Sequence, residues 1–396
     1  MQNAKNGRQW RLVMSDEKLQ KLREFARDKQ TPFLVLDIEQ VRKKYLELKG
    51  AMPDAKIYYA VKACPALEVI KLLADEGVYF DVASIYEIDQ VLSLGVDPAR
   101  LSFGNTIKKE KDIAYAYKKG IRLYATDSLS DVRKLARSAP ESRVMFRLLF
   151  DGEGADWPLS RKFGAYPDML HQLVKEAKTL GLKPYGLAFH VGSQQRDIGQ
   201  WDNAIALCHH LFDMLALDGI RLESINLGGG FPAHYIQPIA STKKYVTSIQ
   251  QYLKENFGAR TLDIILEPGR SLVGDAGVIF SEVILVSKKS ETQDVRWVYL
   301  DIGKMNGLFE TTDELIKYPI CVENKENDTD LGEVIIAGPT CDSCDTLYEK
   351  FKYTLPHTLT DGDRVNIFST GAYTASYSSV NFNGFPPLKV YIFDEQ

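Results

Sequence analysis

The chain has 396 residues, 45% hydrophobic and 26% charged, the composition of an ordinary globular protein with room for two domains. Its 49 basic and 53 acidic residues leave a net charge of −4, which excludes a strong field for nucleic acid or for an anionic membrane surface. Five cysteines, at 64, 208, 321, 341 and 344, are too scattered for a disulfide scaffold and point to a reducing compartment.

The first dozen residues are polar and read as an arm. They contain no apolar stretch of signal-peptide length, and no later segment is long and apolar enough to cross a bilayer, so a cytoplasmic protein without a membrane partner is expected. "TPFLVLDI" then reads as a strand. Eight short, mostly apolar runs follow: "KIYYAVKA", "VYFDVAS", "RLSFGN", "RLYATDS", "RVMFRLLF", "PYGLAFHVGS", "LESINLGGG" and "DIILEPG". Runs of this kind suit strands buried on both faces. Amphipathic stretches of helical length separate them, among them "PALEVIKLLADEG" and "YPDMLHQLVKEAKTLG", several ending in Gly, a natural helix stop.

This alternation, from Ala55 to Arg270, predicts an α/β fold with a (β/α)8 TIM-type barrel, and a doubly wound sheet is the alternative. After about Val273 the chain turns β-rich, in "AGVIFSEVILVSKKS", "VRWVYLDIG", "GEVIIAGPT" and "RVNIFSTGAY". The expected division is an arm and first helix over 1–30, a strand and helix over 31–50, a barrel over 51–272, and a β-sandwich or β-barrel-like domain over 273–396.

Polar residues mark the C-terminal ends of six of the eight barrel strands: Lys62, Asp81, Arg147, His190, the glycines 228–230, and "EPGR" at 267–270. Those ends converge on one mouth, where barrel enzymes do their chemistry. Lys62 is either a lysine whose head reaches solvent or an amine of lowered basicity that forms a Schiff base. Triple glycine is either a tight turn or a close backbone approach to phosphate, for which Arg270 and Ser193 are fitting partners. Phosphate and a Schiff-base lysine together suggest pyridoxal phosphate. Glu267 would then keep the pyridine nitrogen protonated, and His190 would either stack on the ring or sit as a satisfied core residue. The pair of cysteines in "GPTCDSCD" has the spacing of half a zinc site or of a redox pair. No second pair lies nearby, so no metal is expected.

The motifs "YYAVKACP", "FHVGSQ", "LGGGFP", "EPGR", "GPTCDSCD" and "GAYT…FNGF", in this order from about Thr31 to Phe385, closely resemble the eukaryotic-type, fold type III ornithine decarboxylases. "LDIGKMNGLFET" is similar to the shorter bacterial ornithine/lysine decarboxylases. The resemblance implies an alanine racemase-like fold, in which the N-terminal strand joins the β domain, and a head-to-tail homodimer with shared active sites. It implies that Lys62 carries the cofactor, His190 stacks on its ring and Glu267 holds its nitrogen. Ser193, Gly230, Arg270 and Tyr373 would hold the phosphate, with Gly229, Pro268 and Gly269 in the same two motifs. Asp81 would lie near the Schiff base and Arg147 behind it. The "CDS" segment would enter the partner's mouth, where Cys341 returns a proton to the α-carbon and Asp342 faces the distal ammonium, with Asp345 behind them. Cys344 gains no role.

The chain departs from the family in one loop. Ornithine decarboxylases usually carry an Asp-Gly pair there, whereas this sequence reads "YLDIGKMNG", with Asp301 one position off and Ile302 between. Asp301 is carried over as a substrate contact. Lysine is one methylene longer than ornithine, a difference of ~1–3 kcal/mol in such a pocket, so overlapping use of both is expected. The products would be putrescine and cadaverine, in polyamine biosynthesis. Diaminopimelate decarboxylases usually have Glu where this chain has Asp342, and racemases on this barrel oppose the ring nitrogen with Arg. Regulatory homologues usually lose the lysine or the cysteine, and this chain has both.

Overall fold

The computed structural model describes residues 9–158, 162–258 and 260–395; residues 1–8, most of the expected arm, lie outside it. The chain forms two compact units. One comprises Met1–Lys43, Ala233–Ile239 and Arg270–Gln396, the other Lys44–Pro232 and Ala240–Gly269. The last joint falls at Arg270, and the first unit also takes in 233–239, an excursion that no change of composition marks.

Strand β1 (Phe33–Asp37) belongs to the first unit. The second unit carries β2 (Lys56–Ala60), β3 (Tyr79–Val82), β4 (Leu101–Phe103), β5 (Leu123–Thr126) and β6 (Arg143–Arg147). It continues with β7 (Ala155–Trp157), β8 (Lys183–Ala188), β9 (Ser193–Gln195), β10 (Ser224–Asn226) and β11 (Asp263–Leu266). Eight of these close a barrel in the order β10-β11-β2-β3-β4-β5-β6-β8, and every pairing is parallel. The predicted barrel is therefore present, and the doubly wound alternative is excluded by closure. Its strands are short and almost wholly buried because helices cover their outer faces. Three of those helices, Ile85–Leu92, Leu129–Ser138 and Thr242–Phe257, begin after a serine whose hydroxyl accepts the N–H three residues on, at Ser84, Ser128 and Ser241. Inside, Tyr58, Leu123, Met145, Tyr185 and Ile265 fill the barrel, so only its mouth is free for chemistry. The small β7–β9 pair is antiparallel.

The first unit is built on a mixed eight-stranded sheet. Its strands after β1 are β12 (Gly277–Lys288), β13 (Arg296–Leu300), β14 (Ile320–Val322) and β15 (Leu331–Ala337). They are followed by β16 (Thr346–Pro356), β17 (Arg364–Phe368) and β18 (Lys389–Phe393). The main path runs β14-β17-β12-β13-β15-β16, and β1 lies between β12 and β18, so the N-terminal strand does join the C-terminal sheet. Helix Asp16–Ala26 buries Leu19, Leu22 and Ala26, one face at helical spacing. Trp10 stacks on Phe368 at 5.3 Å and Phe33 on Phe280 at 5.2 Å within the same core. No described helix is long and apolar enough to cross a membrane.

Candidate active site

The barrel mouth gathers the polar residues that the sequence places at strand ends. Lys62 sits in a single 3-10 turn after β2, and its Nζ donates to Asp81 Oδ2 at 2.9 Å. Asp81 is buried, on β3, while the lysine side chain is about half exposed. The other Asp81 oxygen, Oδ1, is buried and has no hydrogen-bond partner. It lies where a Cβ at residue 104 would stand, 1.9 Å away, so only glycine fits after β4.

Across the mouth, β11 delivers Glu267, whose Oε1 accepts from Asn226 Nδ2 at 2.5 Å. Burial raises the Glu267 carboxyl to about 7, the Asp81 charge adds to this, and Asn226, Lys62 and Arg147 oppose it. Burial also depresses His190, to about 3, with Arg147 and Lys62 contributing, so its imidazole is neutral at physiological pH. Gly192 N–H donates to His190 Nδ1 at 3.0 Å, which assigns the ring proton to Nε2. Arg147 closes β6, lies over the Phe163 ring at 4.9 Å, and is lowered by burial against the pull of Glu267 and Asp81. A cavity of about 20 Å³ lies between Arg147, His190, Asn226, Glu267 and Met145, room for about one water.

The glycines after β10 are a close-approach turn. Gly228 and Gly230 have φ of +65° and +95°, and a Cβ on Gly229 would come 2.7 Å from Glu267 O and 3.2 Å from His190 Nε2. Gly230 O accepts from Gln195 N–H, on the β9 strand that Ser193 begins, and Pro268 O accepts from Ala60 N–H, which ties the turn before Gly269 to β2. The mouth thus offers an amine beside one carboxylate, a second carboxylate of raised pKa, a neutral imidazole and a side-chain-free backbone turn. These residues fit pyridoxal phosphate. Asp81 Oδ1 is a buried acceptor in want of a donor, and Glu267 is a buried acid in want of a cation.

The remaining expected residues belong to the first unit. Arg270 is buried there, with NH1 and NH2 donating to Glu310 Oε2 and Oε1 at 2.7 and 2.6 Å and NH1 also to Tyr235 Oη at 2.7 Å. The guanidinium lies 4.9 Å over Tyr373, which adopts φ +54°. Burial works against its charge, and the Glu310 carboxylate outweighs burial and raises it. Asp301 is engaged within its own sheet: its Oδ1 accepts from Ser281 Oγ at 2.6 Å and Glu282 N–H at 3.0 Å, both on β12. Cys341 is exposed, its N–H donating to Asn383 Oδ1 at 3.1 Å and its Sγ accepting from Asn383 Nδ2 at 3.3 Å. Asp342 accepts the Cys344 N–H at 3.0 Å, which holds its carboxyl below the ordinary value. Cys344 is exposed and is raised by Asp342.

Three participants escaped the sequence. Asn226 precedes the glycines without any motif of its own. Glu87 accepts the Ala83 N–H at 2.6 Å while its own N–H reaches Ser84 Oγ, a relative of the capping box in which the carboxylate takes the N–H one residue before the cap, legible as Ser-x-x-Glu in "SIYE". Its carboxyl is raised by burial, and Lys62 and Asp81 act on it in opposite directions. Glu310 stands in "GLFET", where nothing local announces a buried partner for Arg270.

A closed parallel barrel whose mouth carries a lysine, a buried acid and a glycine turn is a site suited to a phosphate-bearing carbonyl cofactor. The profile of one family, pyridoxal-dependent decarboxylase, pyridoxal binding domain, matches residues 38–274. The chain is 30% identical over 367 residues to a lysine/ornithine decarboxylase of Selenomonas ruminantium, covering 92% of this chain and 90% of that one. It is 32% identical over 375 residues to antizyme inhibitor 2 of Xenopus laevis, covering 91% and 80%. Among solved structures, the lysine/ornithine decarboxylase of Vibrio vulnificus complexed with cadaverine superposes with a TM-score of 0.86 at 28% identity, covering 96% and 99%. The chain belongs to the fold type III pyridoxal-phosphate-dependent decarboxylases. It is a carboxy-lyase, and pyridoxal phosphate is its cofactor.

Proposed function

We propose that the protein decarboxylates L-ornithine, L-lysine or both to putrescine and cadaverine, as a cytoplasmic homodimer serving polyamine synthesis. The observation that carries this is the pairing in one mouth of an amine, Lys62, held at 2.9 Å by Asp81, with the buried Glu267 opposite. The relatives named for lysine and ornithine support the substrate class, and the exposed, ionised Asp342 supports a cationic substrate end.

When bound, pyridoxal phosphate supplies an aldehyde that captures primary amines and a ring that takes up the electron pair released with CO2. Lys62 would present the amine that holds the cofactor, aimed by the Asp81 carboxylate at 2.9 Å. Glu267 holds a proton at the ring nitrogen. His190 offers a flat uncharged face, because its Nδ1 is already engaged by Gly192. The Gly228–Gly230 turn and the Ser193 hydroxyl receive the phosphate. Cys341 of the partner subunit delivers its Sγ proton to the α-carbon, and the partner subunit's Asp342 faces the distal ammonium. Asp301 is occupied by Ser281 and Glu282, so in this proposal the distal contact rests on Asp342.

A regulatory role like that named for the Xenopus relative is disfavoured by the presence of both Lys62 and Cys341. The deciding experiment is a competition assay with ornithine, lysine and arginine. We expect release of CO2 from ornithine and lysine with kcat/KM values within about two orders of magnitude of each other. Turnover of neither would overturn the proposal.

A further inference from the structure

Asn226 ends β10 with its side chain buried, and the structure engages both ends of its amide. The Gly228 N–H donates to Oδ1 at 2.9 Å, and Nδ2 donates to Glu267 Oε1 at 2.5 Å. The amide has one sense only. Turned over, its NH2 would meet the Gly228 N–H and its carbonyl would meet a carboxylate, a mismatch at both ends. The Glu267 N–H closes the loop by donating to Gly228 O at 2.8 Å. The acid and the first glycine of the turn are thus tied twice, once through main chain and once through a single side chain.

We infer that Asn226 is a positioning residue that aims Glu267 at the ring nitrogen of the cofactor and fixes that aim relative to the glycine turn that takes its phosphate. By occupying Oε1 it leaves Oε2 to face the ring. By accepting from Gly228 it makes the two ends of one small molecule share a single reference point. Aspartate is no test of this, because it still accepts from Gly228 and two carboxylates at that separation share one proton, which leaves the pair the one negative charge that Glu267 carries alone. Burial and Asp81 already push Glu267 upward, and the Asn226 donor is the first of the groups that pull it back. Alanine would release both bonds.

The inference rests on Glu267 facing the ring nitrogen, and its test separates the two claims. Cofactor-free wild type, Asn226→Ala, Glu267→Gln and the double variant are titrated with pyridoxal phosphate and with its 1-deaza analogue, in which C–H replaces the ring nitrogen. Wild type is expected to prefer the natural cofactor by about tenfold or more, the equivalent of one charge-assisted contact. Asn226→Ala should lose most of that preference while binding the deaza analogue within about twofold of wild type. In the Glu267→Gln background the same change should add nothing, because a residue acting through Glu267 has nothing left to act on. A wild-type preference that survives in Asn226→Ala would overturn the inference alone. A wild type without preference would overturn the assignment of Glu267, and the inference with it. If Asn226→Ala does not fold, Asn226→Ser is read in the same way, since its side chain is too short to span both partners.

Discussion

The barrel mouth and the loop at 341–344 hold similar groups, a nucleophile next to carboxylate, and treat them in opposite ways. In the mouth Asp81 is withdrawn from water and Glu267 is raised to about 7, so charge there depends on what the residues face. On the loop Asp342 is exposed and stays ionised, stabilised by the Cys344 N–H, and the exposed Cys341 engages the Asn383 side chain through its N–H and its Sγ. The loop is not loose beneath its tip. Asp345 is 2% exposed and accepts from Lys304 N–H at 2.7 Å and from the Thr340 hydroxyl at 2.7 Å. A wall of glycine surrounds it, because a Cβ at 303 or 338 would come within 2.2 or 2.4 Å of its carboxylate. One region prepares charges internally. The other presents an ionised carboxylate and a thiol at the surface, above a buried and hydrogen-bonded base.

Breaking the mouth should cost most. Lys62→Ala is expected to lower kcat by about 10³-fold or more and to abolish fixation of the cofactor by borohydride, read by the mass of the treated protein. Loss at the loop should be smaller and different in kind. Cys341→Ala is expected to reduce kcat by about 10²-fold, with an unchanged melting temperature and part of the product appearing as aldehyde in place of diamine. An unchanged diamine yield would remove Cys341 as proton donor. Mixing the two inactive variants sharpens the contrast, because random exchange of subunits should restore about a quarter of wild-type activity if mouth and loop come from different chains. No recovery, with exchange confirmed by mass spectrometry, would refute the shared site.

The smallest effect concerns stability. The folded value of Glu267, about 7, lies above that of an unfolded glutamate, so its ionised form opposes folding. The opposition begins above pH ~4.3 and is complete once the pH passes the folded value. Cofactor-free Glu267→Gln should therefore exceed wild type by about 1–3 kcal/mol near pH ~8 and by much less near pH ~4.5, measured by urea unfolding. Equal stability at both pH values would mean that the acid is not strained in the empty mouth.

Much of this was legible because barrel strands are short, apolar and punctuated. Any polar residue at the end of "KIYYAVKA" or "DIIL" stands out against its run, and Lys62 and Glu267 were found that way. The sheet of the first unit was less legible. Strand β14, Ile320–Val322, is too short to show alternation, and Glu349, Lys350 and Lys352 interrupt the apolar pattern of β16. Asp301 stands out as a carboxylate in "YLDIGKMNG", but its neighbours on β12 are invisible from its own segment. The same holds for Glu310 and Arg270, 40 positions apart in sequence yet bonded through two nitrogens.

By itself the sequence determined the barrel, the sheet that follows it and the residue types at the strand ends, because burial pattern and turn chemistry are local properties of a chain. Which of those groups touch was decided only in three dimensions. The amide of Asn226 meets Glu267 because β10 and β11 are neighbours in register, and a contact between strands leaves no trace in the spacing of either.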